Sequence, residues 1–186
     1  APQRTGTDGA NALRKRFEVH AETTTSAPAS AVYDLLADPA SHLVWGGERQ
    51  GSSSRLLTID APAAPVVVGD EFATTGADPM GSFADRSVVT EATPSSVFEF
   101  VTEATLTTKR GATSVWTNVH RYEITAGEQG CRVDYTLRVT RISALPGMLV
   151  TLNWPGFSAL AIKAGAGLAG RGLANLTAMA EERSPS

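Results

Sequence analysis

The chain has 186 residues, 42% of them hydrophobic, with 16 basic and 19 acidic side chains for a net charge of −3. That length suits one domain with a core of its own. The charge balance offers neither a basic field for nucleic acid nor a polybasic patch for a membrane surface. Cys131 is the only cysteine, so no intrachain disulfide can form; this fits a reducing compartment, and a cytoplasmic location is expected. No apolar run approaches the ~18 residues of a spanning helix, which predicts no stable membrane insertion. No segment reads as a signal peptide.

Residues 1–15 lack periodicity and read as a flexible tail. From 16 to 26, Phe17, Val19, Ala21 and Thr23 alternate with Glu18, His20 and Glu22, the period-two pattern of a strand with one buried face. Ser26 is placed to cap a following helix, with Pro28 in its first turn and Val32, Leu35 and Leu36 at helical spacing. Asp38-Pro39 breaks that helix. A second short helix over 39–45 carries His42, read as a surface residue, and Trp45; Gly46-Gly47 ends it.

From 53 to 141 the pattern is strand throughout, with segments near 54–60, 65–75, 82–92, 96–108, 113–125 and 130–141 separated by Pro, Gly, Asp and Ser. Short, evenly spaced turns predict an antiparallel meander. A short helical piece over 144–155, broken before Pro155, then leads to a long helix over about 156–182. Its stripe is Ile162, Ala166, Ala169, Leu173, Leu176 and Ala180. Gly165, Gly167, Gly170 and Gly172 each weaken that helix by ~1 kcal/mol relative to alanine, which argues for a close approach or for space beside it.

Residues 16–183 thus read as one α+β domain. Two segments carry a resemblance: the opening RFEVHAETTTSAPASAVYDLLADPASHLVW, with its AP-x-x-x-V-Y-D-L-L-x-D-P helix, and the closing GLANLTAMAEE. Together with the element order they resemble the START-like, helix-grip superfamily, which includes polyketide cyclases/dehydratases and lipid-transport relatives. The resemblance implies a seven-stranded curved antiparallel sheet wrapped around the long C-terminal helix, with two short helices after strand 1. Independently, a twisted sheet curled over one slim helix encloses more space than the helix fills, and such gaps become ligand sites.

The strand near 113–125 holds the most informative side chains. Arg121 and Glu123 mark its solvent face, so Trp116, Asn118, His120 and Tyr122 are expected inward. An amide, an imidazole and a phenol beside aromatic rings can orient a ligand carbonyl or hydroxyl, and His120 with Tyr122 can assist proton transfer. The bland alternative is a hydrogen-bonded core. Phe98, Phe100 and Tyr135 share the inward face as ligand contacts or as packing. On the strand near 82–92 the inward set is either Ser82, Ala84, Arg86, Val88 and Thr90 or Phe83, Asp85, Ser87, Val89 and Glu91. Charge counting favours the first and makes Arg86 a candidate anion contact. Trp45 and Trp154 flank the expected cavity mouth, as gates or as covers.

His20, His42 and His120 show no metal-ligand spacing, no phosphate loop precedes a helix, and no serine elbow appears, so neither metal nor cofactor is expected. The reading that follows is a carrier or binder of a hydrophobic small molecule, lipid or polyketide-like. A cyclase/dehydratase-type enzyme is the alternative, and a co-chaperone or assembly partner ranks third. Composition says nothing about oligomeric state.

Overall fold

A computed structural model describes residues 17–51, 54–79, 81–143 and 155–184. The expected tail over 1–15 lies outside the described residues, as do Trp154 and, save for Pro155, the expected helical piece over 144–155.

Seven strands form one antiparallel sheet: β1 (Phe17–Thr25), β2 (Arg55–Asp60), β3 (Glu71–Asp78), β4 (Gly81–Thr93), β5 (Val97–Thr108), β6 (Thr113–Gly127) and β7 (Gly130–Ile142). Their order is β1-β7-β6-β5-β4-β3-β2. β2 to β7 are the expected meander, and β1 pairs with the last strand, Val19 opposite Leu137 and Ala21 opposite Tyr135. Register shifts between Val89 and Glu91 on β4, between Leu56 and Thr58 on β2, and in the β6–β7 pair at Thr117/Asn118 curl the sheet, because a bulge bends its strand and increases the twist. Residues 65–70, expected as the start of a strand, are loop. There Asp70 accepts a hydrogen bond from the Val67 amide at 2.9 Å, and only Val66 is buried.

Two short helices, α1 (Ala29–Leu36) and α2 (Pro39–Trp45), cross from β1 toward the far edge of the sheet, and a 3₁₀ turn follows over Glu48–Gln50. Asp38 caps α2 by accepting from the Ala40 amide at 3.1 Å, with Pro39 in the first turn. Ser26 does not cap α1. Its amide and hydroxyl both donate to Glu181 Oε1, at 2.9 and 3.0 Å, and the Thr25 hydroxyl donates to the same oxygen at 2.7 Å. The corner between β1 and α1 is therefore tied to the last helix, α3 (Pro155–Arg183). Three hydrogen bonds hold that carboxylate below the usual range.

α3 lies along β1 and α1 and closes the concave side of the sheet. Leu173, Leu176 and Ala180 of the predicted stripe are buried, and Ala169 is partly buried against them. They meet Val32, Leu35 and Leu36 of α1 together with Phe98 and Val133 of the sheet, all fully buried. This is the expected helix-grip architecture. Its outer face carries charge: Arg121 pairs with Glu91 at 2.6 Å, Glu99 at 3.0 Å and Glu123 at 3.2 Å. His20, expected in solvent, is exposed there beside Glu18.

Candidate functional site

The core fills only one end of the space between sheet and helix. Nearer the N-terminal half of α3 lies a cavity of about 290 Å³, close to the lower end of the small-molecule range of ~300–1,000 Å³. Of Gly165, Gly167, Gly170 and Gly172 on the helix, Gly165 and Gly172 face it. A methyl group on Gly165 would sit 3.1 Å from Val19, and one on Gly172 would reach Gln50 and Trp45 only at about 4 Å. Gly165 is thus a close approach to β1 and Gly172 leaves room, whereas Gly167 and Gly170 face open space, where neither reason applies.

One wall is aromatic. Phe100 on β5 and His120 on β6 are cross-strand partners, and their rings stack with centroids 4.6 Å apart at 9°. Tyr122 and Tyr135, paired across β6 and β7, stand 4.7 Å apart beside them. Tyr135 Oη and His120 Nδ1 share a hydrogen bond of 2.9 Å. Trp45 reaches this wall from α2, 6.4 Å from Tyr122, and is anchored by its indole N–H donating to Ser41 Oγ at 3.3 Å. Gln50 secures the far side: its amide donates to the Leu168 carbonyl at 3.0 Å, and Asn175 donates to both Gln50 Oε1 and the Trp45 carbonyl.

Burial sets the electrostatics of the wall. Desolvation pushes His120 down to about 4, helped by His42 nearby, and it raises the Tyr122 and Tyr135 phenols. All three are neutral at pH 7 and act there as hydrogen-bonding groups. His42 is only 3% exposed, which corrects the expectation of a surface residue. It lies three residues before Trp45 and so shares its helix face; its Nε2–H donates to the Leu36 carbonyl at 2.9 Å, and burial lowers it to about 4.

Beside the aromatic wall runs a polar band. Thr74 on β3, Asp85 and Ser87 on β4, and Thr102 on β5 line the cavity. Ser87 and Thr102 hydroxyls bond to each other at 2.8 Å. Asp85 faces in and Arg86 faces out, the reverse of what charge counting favours. The Arg86 side chain is 78% exposed and stands 3.8 Å from Glu71. The physical reason is that Asp85 travels with Phe83, Ser87 and Val89, whose side of β4 meets Gly76, Thr102 and Phe100 on the neighbouring strands. Seating that set buries a carboxyl, which can be neutralised by a proton; the opposite choice would bury a guanidinium, which cannot.

Of the residues predicted from sequence, Trp45, Phe100, His120, Tyr122 and Tyr135 therefore line one cavity. Phe98 is fully buried, its ring edge-on to Tyr33 at 6.3 Å. Trp116 sits with Phe17, Val139 and Ile142 in a separate apolar cluster, its indole N–H donating to Ser114 Oγ at 2.9 Å. Asn118 is beside the cavity rather than in its lining, and its Oδ1 is buried without a partner among the described residues. Sequence reasoning set Asp85 on the disfavoured face, called His42 a surface residue and passed over Gln50 and Leu168; the helical spacing of His42 and Trp45 was the one available signal. Among the described residues, no group of three His, Cys, Asp or Glu side chains could hold a metal ion, and no helix is long and apolar enough to cross a membrane.

Comparison with known proteins adds to the fold. No family model matches the chain, and no curated protein matches it. Solved structures do. An uncharacterised protein of Rhizobium leguminosarum superposes with a TM-score of 0.62 at 16% identity, covering 92% of this chain and 97% of its own. A Staphylococcus aureus protein of unknown function gives 0.63 at 12% identity, covering 90% and 95%. DynU16, a protein of the dynemicin biosynthetic locus, gives 0.51 at 18% identity, covering 90% of this chain and 48% of DynU16. At these identities the likeness is one of fold.

Proposed function

We propose that this chain binds a hydrophobic small molecule, lipid or polyketide-like, within the internal cavity. The observation that carries this reading is a space of about 290 Å³ whose wall is five aromatic side chains, Trp45, Phe72, Phe100, Tyr122 and Tyr135, interrupted by a short polar band. Apolar walls supply the driving force and a few placed polar groups supply orientation, which is how small-molecule sites are ordinarily built. Native mass spectrometry of freshly purified protein, followed by titration with lipid and aromatic panels under Trp45 fluorescence, tests it. A bound mass or saturable quenching that is lost in Trp45→Phe is expected. A clean apo mass with no uptake from either panel rejects it.

The second reading is an enzyme of the cyclase/dehydratase kind. The His120–Tyr135 hydrogen bond at the cavity wall supports it, since a phenol and a neutral imidazole held together can orient a ligand group by hydrogen bonding and pass a proton along that pair during a reaction. His120→Ala and Tyr122→Phe would lower turnover of a cyclising substrate by ~100-fold if these groups exchange protons with it. Unchanged rates in both variants leave the binding role alone standing.

A further inference from the structure

The polar band contains one group whose hydrogen bonding the protein leaves incomplete. Asp85 lines the cavity from β4, directly opposite Thr74 on β3, which lines it too. Its Oδ1 is buried and has no partner among the described residues. A buried acceptor without a partner carries a desolvation cost that a structure keeps only for a reason. The neighbouring hydroxyls of Ser87 and Thr102 are engaged with each other. Among the described residues, no Lys or Arg lines the cavity to neutralise the carboxyl. The free oxygen therefore stands at the edge of an aromatic chamber.

We propose that Asp85 is the polar anchor of the cavity and receives a neutral hydroxyl group, an alcohol or a phenol, carried by an otherwise apolar ligand. This rests on the cavity-binding reading above and names the chemistry that the ligand must present. A hydroxyl suits the place better than the alternatives. Desolvation raises this carboxyl to about 7, against the smaller opposing effect of Thr74, so both of its forms are populated near neutrality. A hydroxyl can donate to the ionised form and accept from the protonated one, whereas an ammonium fits only the first and a ketone only the second. An ammonium would also have to leave water for a wall of neutral rings. Among the described residues, the other titratable groups facing the same space are His42 from α2, His120 and Tyr122 from β6, and Tyr135 from β7.

Three probes of one shape test the proposal: 2-naphthol, 2-methylnaphthalene and 2-(aminomethyl)naphthalene, titrated calorimetrically into the full chain at pH 7. The wild-type protein is expected to bind 2-naphthol about tenfold tighter than 2-methylnaphthalene, the usual worth of satisfying a buried acceptor. Asp85→Ala should bring the two within about twofold while 2-methylnaphthalene still binds, which also shows that the variant is folded. Should Asp85→Ala not fold, the wild type gives a second reading: the ¹³Cγ resonance of Asp85 shifts with 2-naphthol and not with 2-methylnaphthalene. Equal affinities for naphthol and methylnaphthalene, an Asp85→Ala variant that keeps the preference, or an unmoved resonance each overturn the anchor while leaving the cavity reading intact. Tighter binding of the aminomethyl probe than of naphthol overturns the neutral-hydroxyl assignment. Binding of none of the three overturns the cavity reading, and the anchor with it.

Discussion

Asp85 and the two buried histidines pull stability in opposite directions as pH changes. The folded chain holds the Asp85 proton up to about pH 7, whereas an unfolded aspartate releases it near its ordinary value of 3.8. Between those values the folded state binds more protons, so this group costs stability as pH rises and costs its full amount above 7. Asp85→Asn is thus expected to be little changed near pH 4 and more stable than wild type at pH 8, with a ceiling of ~4 kcal/mol set by the size of the shift. Urea denaturation at pH 5 and pH 8 checks it, and an equal effect at both would refute the assignment. His42 and His120 act with the opposite sign. Burial lowers both from 6.5 to about 4, so they remain neutral in the fold, and the stability this leaves them with is lost as pH falls from 6.5 toward 4. His120→Gln is expected to flatten that acid limb; a limb as steep as in wild type would count against a buried neutral imidazole at this position.

At the scale of elements, α3 is two helices in function. Its C-terminal half is core, with Leu173, Leu176, Met179 and Ala180 buried against α1 and the sheet. Its middle, from Gly165 to Gly172, is a cavity roof, held close to β1 at Gly165, which meets Val19, and left open at Gly172. Gly170 belongs to neither role, because nothing stands within 4 Å of a methyl group placed there. Gly170→Ala should therefore raise stability by ~0.8–1 kcal/mol through helix propensity alone, with ligand binding unaltered. Gly165→Ala would press on Val19 at 3.1 Å and should cost stability, disturbing the part of the cavity that Gly165 lines. Thermal melts and probe titrations on the same pair of variants separate the two effects. Equal behaviour of the two variants in both assays would contradict this division of the helix.

For the whole molecule, one packed end supports one open end. Leu176 is fully buried where α3, α1 and the sheet meet. Leu176→Ala should cost ~2–5 kcal/mol, by lost burial and the cavity left behind, as read by chemical denaturation. Leu160, 65% exposed on the same helix, should change stability by less than ~0.5 kcal/mol when replaced by alanine. Much of this architecture was legible in the sequence. Period-two alternation marked six of the seven strands closely, Asp38-Pro39 divided the two short helices, and the Leu173–Leu176–Ala180 stripe set the buried face of the long one, because each of these signals is local and repeats along one element. The inward row of β5, β6 and β7 followed from the same alternation once Arg121 and Glu123 had marked the outside. What tertiary structure alone decided are the matters that depend on which element lies opposite. The face of β4 was settled by Phe83 seated over Gly76 and by Val89 and Ser87 meeting β5, which turned Asp85 inward and Arg86 to solvent. His42 became a cavity residue because α2 folds its Trp45 face onto the sheet. Trp116 and Phe98, on the right face by alternation, lie beyond the cavity because the packed ends occupy only part of the sheet. Alternation along a strand tells in from out; only the packing of distant elements tells where the inside is filled and where it is left open.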